Sequence, residues 1–259
     1  MHPTTSITYI GHATLLIEID GVRILTDPTL RSHVSGFIRR QTPIPAWQLG
    51  KLDLVLISHL HFDHFDLPSL RLLEPHVQIA IPSGAASYLR HHGFQNVREV
   101  KVGDRLQVGA VEIIVTPAKH KGRRHPFGPD SECVGYLIKG STSFYFAGDT
   151  DIFPEMHQFS NNLDVALMPV WGWGPTLGSG HMDPLRAAEA LSIIQPRAAI
   201  PIHWGTFFPI GLRYSHGHLL IDPPRLFERH ARDLAPEVEV KIVNPGGTLS
   251  GALKRLLKK

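Results

Sequence analysis

Residues 58–66 read SHLHFDHFD, which places three histidines and two aspartates within nine positions. The apolar stretch LDLVLI runs directly before them. The chain holds 17 histidines, so composition alone brings some of them together. Spacing sets this cluster apart. His59 and His61 lie two apart, and an extended backbone points such residues to one side. Asp63 and His64 follow after the strand has ended and can turn toward a second point. Imidazole suits zinc, iron or manganese, and carboxylate adds a hard oxygen. An H-x-H-x-D-H run at a strand end therefore reads as a metal site.

One strand end does not close such a site. VTPAKH delivers His120 just past a second strand, FYFAGDT delivers Asp149 past a third, and AIPIHWGT delivers His203 past a fourth. Each ends a run too apolar to leave a polar group buried without a partner. With the first cluster they make seven ligands, the right number for two adjacent divalent metals. His59, His61 and His120 would hold the first. Asp63, His64 and His203 would hold the second, and Asp149 would bridge them with its two oxygens. The histidine-rich first position suits zinc, with manganese and iron open.

The elements that must carry these residues follow from pattern. ITYI, TLLIEI and VRILTDP read as strands, then LDLVLIS, VQIAIP, a hairpin over DRLQVGAVEIIVTPAKH, another over CVGYLIKGSTSFYFAGDT, LDVALMPV, AAIPIHWGT and a final strand VEVKIVNPGG. Helices are expected at DLPSLRLLE with Asp66 as cap, at SGAASYLRHHG, at HMDPLRAAEALSIIQP with Asp183 as cap, and at DPPRLFERHARDLAP. Residues 28–50 read as a long loop, and long loops in compact domains are often functional. This order suggests two sheets covered by outer helices, an α+β four-layer αββα sandwich spanning residues 1–259 as one domain.

Taken in chain order, SHLHFDH, TPAKH, AGDT and IHWGT resemble the metallo-β-lactamase superfamily of hydrolases, as does the opening YIGHATLLIEIDGVRILTDP. Within it, GHMDPLRAAEAL followed by IHWGTF is similar to the N-acyl phosphatidylethanolamine phospholipase D and ascorbate-6-phosphate lactonase branch. The resemblance runs from about residue 7 to 245. It implies the αββα fold, a binuclear site and the ligand roles above. It also implies that His181, in GHMDP, stands near substrate rather than on a metal.

The expected activity is a metal-dependent hydrolase whose metal-bridging hydroxide attacks a phosphodiester or related phosphorylated small substrate. Asp63 would take the water's proton and His181 would serve the leaving group. A lactonase on a sugar-derived ester, a nuclease and a non-catalytic metal scaffold are the alternatives. No G-x-S-x-G or P-loop supports a serine or nucleotide mechanism.

A net charge of +3 is too weak to argue for nucleic acid by itself and is compatible with a small anionic substrate. Arg39, Arg40, Lys121, Arg123 and Arg124 could grip an anion. WGWGPTLGSG at 171–180 reads as a pocket wall. The single cysteine, Cys133, excludes an intrachain disulfide and favours a reducing, cytoplasmic setting. No signal peptide or transmembrane stretch is expected. In the tail, Leu249, Ala252, Leu253, Leu256 and Leu257 fall on one helical face, with Lys254, Arg255, Lys258 and Lys259 off it. That face would pack on the domain or make weak contact with an anionic membrane surface.

Overall fold

Along strand Thr14–Ile19, Leu15, Ile17 and Ile19 enter one apolar cluster and Leu16 enters another. Strand Leu54–Leu56 divides likewise, with Leu54 and Leu56 on one side and Val55 on the other. This is the period-two geometry of strands buried on both faces. The computed structural model describes residues 5–35, 38–42, 49–122, 131–160 and 162–250.

The described residues build two seven-stranded sheets and one three-stranded sheet. The first sheet runs Gly247–Leu249, Ser6–Gly11, Thr14–Ile19, Val22–Thr26, Leu54–Leu56, Gln78–Pro82, Val97–Val100. Its pairings are antiparallel as far as Val22–Thr26 and parallel thereafter. The second runs Arg105–Val108, Val111–Pro117, Val134–Lys139, Ser143–Phe146, Val165–Pro169, Ala198–Ile202, Glu239–Val240. It too is antiparallel first and parallel from Ser143–Phe146 onward. The two halves therefore repeat one plan.

Four layers result. Leu70 of helix Leu67–Leu70 and Ala86 and Leu89 of helix Ala86–His91 share a cluster with the outer face of the first sheet. Ile7, Leu15, Ile113, Tyr136 and Phe144 belong to the cluster that joins the two sheets. Ala187, Leu191 and Ile194 of helix Pro184–Ile194, with Phe227 and Ala231 of helix Asp222–Leu234, extend that cluster. Asp66 caps the first helix by accepting from Ser69 N at 3.0 Å, and Asp183 caps the third by accepting from Arg186 N at 2.8 Å. The chain is the expected αββα sandwich. No helix among the described residues is long and apolar enough to cross a membrane.

The structure departs from the sequence reading at four places. Loop 28–50 contains strands His33–Val34 and Ile38–Arg40, and the latter pairs with Phe207–Pro209 in the small sheet. Strand Val97–Val100 lies at the first sheet's edge, where VREV gave no clear signal. The expected final strand keeps only Glu239–Val240 in the second sheet, and Gly247–Leu249 crosses to pair with Ser6–Gly11. Leu249 is thus a strand residue paired with Ile7 rather than the start of a helix. The remainder of the tail proposed as helical, 251–259, lies outside the described residues, as do Arg123 and Arg124.

Candidate metal centre

Register fixes strand direction, and direction brings the polar residues together. In the first sheet, Ser6–Gly11, Val22–Thr26 and Leu54–Leu56 run the same way. Their carboxyl ends deliver His12, Asp27 and the 58–64 run. In the second, Val111–Pro117, Ser143–Phe146, Val165–Pro169 and Ala198–Ile202 run together. Their carboxyl ends lead to His120, Asp149, Trp171 and His203. The sheets are stitched at this edge by Val134 N donating to Ser58 O at 3.0 Å. Gly148 permits the approach, with φ +59° and space for a Cβ closed by Ser58 Cβ at 2.6 Å.

The structure brings all seven predicted residues into one cluster. His61 Nδ1 lies 3.0 Å from His59 Nε2 and 3.1 Å from His120 Nε2. His64 Nε2 lies 2.9 Å from His203 Nε2. Asp63 Oδ2 is 3.7 Å from His64 Nε2 and 3.5 Å from His203 Nε2. Asp149 stands between the groups, 3.2 Å from both His64 Nε2 and His203 Nε2 and 3.9 Å from His59 Nε2.

Hydrogen placement tests whether a cation fits. His203 Nδ1 donates to Trp171 O at 2.7 Å, so its Nε2 carries a lone pair. His64 Nδ1 donates to Asp27 Oδ2 at 2.7 Å, which turns its Nε2 toward that pair. Two such nitrogens 2.9 Å apart need a proton or a metal cation at hand. His120 Nδ1 donates to Gly180 O at 2.9 Å. Ser58 Oγ gives its hydrogen to Asp27 Oδ2 at 2.6 Å and so accepts from His59 Nδ1 at 3.0 Å. The Nε2 atoms of His59 and His120 are therefore bare and both face His61 Nδ1. At most one hydrogen lies among the three. Asp149 Oδ1 is buried with no hydrogen-bond donor among the described residues. The donor set of imidazole nitrogens and carboxylates fits divalent metal cations.

The electrostatics agree. Burial holds His59 and His61 below the ordinary histidine range and pulls His120 down to about 4. All three are thereby kept in the neutral form that an imidazole needs to bind a metal. Burial opposes charge on Asp63 and Asp149, yet facing histidines hold both well below the carboxylate range. Burial also opposes charge on His64, but Asp149 and Asp63 lift it well above the ordinary value. The pair of carboxylates draws a positive charge to this point.

His181 joins the same carboxylate. Its Nε2 is 3.1 Å from Asp149 Oδ2, and its Nδ1 donates to Gly178 O at 3.1 Å. Burial lowers it, but the Asp149 contact raises it to about 9. With His203, Trp173, Thr176 and Leu177 it lines a cavity of about 80 Å³, so loop 171–180 is a wall of the site. Gly180, with φ +82°, lets its carbonyl reach His120, for a Cβ there would sit 2.9 Å from His120 Nδ1.

Other candidates lie elsewhere. Arg40 is buried and spans backbone, donating to Thr29 O at 3.2 Å and Ile10 O at 2.7 Å. Arg39 lines a surface groove with Arg213 and Tyr214. Lys121 is exposed. Sequence reasoning missed Asp27, which anchors both His64 and Ser58, and found no role for His12. Both stand directly after apolar strands, the signal that singled out Asp149.

An αββα sandwich with a histidine–aspartate cluster on the shared carboxyl edge of its sheets is the metallo-β-lactamase architecture. Residues 22–204 match the family described as Beta-lactamase superfamily domain. A UPF0173 metal-dependent hydrolase of Methanopyrus kandleri is 34% identical over 255 residues, covering 93% of this chain and 97% of that one. An N-acyl-phosphatidylethanolamine-hydrolyzing phospholipase D of Caenorhabditis elegans is 28% identical over 230 residues, covering 79% of this chain and 64% of its own length. The solved structure of Igni18, a metallo hydrolase from Ignicoccus hospitalis, superposes with a TM-score of 0.73 at 25% identity, covering 95% of this chain and 98% of that one. The chain belongs to the beta-lactamase superfamily and is a metal-dependent hydrolase.

Proposed function

We propose that this chain is a binuclear hydrolase of a phosphodiester or related small phosphorylated substrate. His59, His61 and His120 would hold the first cation and Asp63, His64 and His203 the second, with Asp149 as the ligand common to both. The observation that carries this reading is the convergence of imidazole nitrogens on Asp149, which lies 3.2 Å from His64 and His203 Nε2 and 3.9 Å from His59 Nε2, while its buried Oδ1 lacks a hydrogen-bond donor among the described residues. Divalent ions bound there would supply Lewis acidity and the means to activate water near neutral pH. Zinc suits the three-histidine position, with manganese and iron as the alternatives.

The chain's own groups supply the rest. Asp63, ionised at neutral pH, takes the proton of the attacking water. His181 carries a proton on Nε2 at the rim of the cavity and gives it to the leaving group. The wall of Trp173, Thr176 and Leu177 orients a small substrate against His181 and limits water on that side. The phosphodiester reading draws support from the C. elegans relative, by its name an enzyme hydrolysing N-acyl-phosphatidylethanolamine, a phosphodiester. The test is turnover by metal-loaded protein of bis(4-nitrophenyl) phosphate against a panel of lactones. Faster phosphodiester cleavage, abolished by chelator, is expected. Lactone hydrolysis alone would overturn the substrate class, and turnover insensitive to chelator would overturn the mechanism.

A further inference from the structure

His12 is fully buried beside the cluster. Its Nε2 lies 2.8 Å from Asp63 Oδ2, and its Nδ1 has no partner among the described residues. A neutral imidazole has one N–H and one lone pair. A hydrogen on Nδ1 would be a buried donor with nothing to meet, and Nε2 would then set a lone pair against the carboxylate. The hydrogen therefore sits on Nε2 and is donated to Asp63. This placement also removes His12 from the ligands, although its ring lies within 4.8 Å of the donor atoms of Asp63, His64 and His203. A nitrogen that bears the hydrogen has no pair to give.

The ring does more than hold a carboxylate. It lies against His203 with centroids 3.8 Å apart, and Phe207 meets it edge-on at 5.2 Å. The main chain repeats the link, for His203 N donates to His12 O at 2.8 Å. Both residues adopt left-handed backbone, φ +59° at His12 and +64° at His203. Such conformations persist in non-glycine residues where the surroundings fix them, and they gather at functional sites.

We infer that His12 is a positioning residue for the second metal position. It engages Oδ2 of Asp63, the oxygen that also faces His64 and His203 Nε2, and so fixes how that carboxylate is turned, while its ring lies against His203. Two ligands on different sheets are thereby aligned before a cation arrives, the outer support that metal sites depend on. The inference rests on the proposal that Asp63 and His203 hold that cation.

His12→Asn tests it, because asparagine accepts the left-handed backbone but its shorter amide does not reach Asp63. Competitive chelator titration should show second-position affinity falling about 10–100-fold with the first position unchanged. The rise in Tm on metal addition should shrink, while the metal-free Tm stays near that of the parent. His12→Gln, whose amide reaches the place of Nε2, should recover affinity at the second position. It also decides the matter alone should the asparagine variant fail to fold. Unchanged affinity in His12→Asn, or equal loss at both positions with a lowered metal-free Tm, would overturn the inference. Asp63→Asn separates the two readings. If it keeps its second metal, the ligand assignment has failed. If it loses that metal while His12→Asn does not, only the role of His12 has failed.

Discussion

Replacing Asp27 by asparagine isolates what a buried carboxylate does for His64. Every hydrogen-bond partner of the Asp27 carboxylate donates to it. Oδ1 accepts from Ser58 N at 2.7 Å, and Oδ2 accepts from Ser58 Oγ at 2.6 Å and His64 Nδ1 at 2.7 Å. An amide offers one acceptor oxygen and one donor nitrogen. If the oxygen keeps the Ser58 backbone, the nitrogen faces His64 Nδ1. His64 then moves its hydrogen to Nε2 so that Nδ1 can accept, and Nε2 loses the pair it would give a cation. Loss of such an outer partner weakens metal affinity about 10–100-fold, or about 1.4–2.7 kcal/mol. That agrees with about 1.5–3 kcal/mol for a hydrogen bond to a charged group. The fold itself should tolerate the change, because burial already pushes the Asp27 carboxyl above its ordinary range and asparagine has the same shape without the charge. Chelator competition and thermal unfolding, each with and without metal, measure both effects. Normal affinity at both positions would refute the reasoning, as would a large loss of metal-free stability with affinity intact.

Cation binding at the second position displaces the proton that Asp149 and Asp63 favour on His64. Loading at pH 7 should therefore release protons, and affinity should rise with pH. Calorimetry in two buffers of different ionisation enthalpy reads this directly, and a buffer-independent heat would contradict it. His181→Ala should cut turnover about 10²–10⁴-fold with metal content unchanged. Lost metal would make His181 a ligand, and unchanged turnover would make it structural. Gly180→Ala places a Cβ against His120 Nδ1 in left-handed backbone, so stability should fall by about 1–2 kcal/mol and first-position affinity should weaken. An unchanged Tm with unchanged affinity would contradict that placement.

The strands that carry the site were legible because each joins an apolar run to a polar terminus, as at Leu54–Leu56 and Ala198–Ile202. Val97–Val100 was not, for Arg98 and Glu99 at a sheet edge interrupt the apolar signal. Ile38–Arg40 pairs with Phe207–Pro209, and Gly247–Leu249 pairs with Ser6–Gly11. Such distant partners leave no local periodicity to read. In the site, the side chains of the seven proposed ligands could be read from their places after strands. Asp27 and His12 obey the same rule but lack a neighbouring cluster to draw notice. The carbonyls of Trp171 and Gly180, which orient His203 and His120, have no sequence signature because any residue presents one.

The metal count per chain tests the central claim most directly. Elemental analysis of protein purified without chelator and reconstituted with zinc should find about two ions per chain. The His59→Ala, His61→Ala double variant should keep about one and lose turnover. Two ions retained in that variant with full activity, or none held by the parent, would contradict the account.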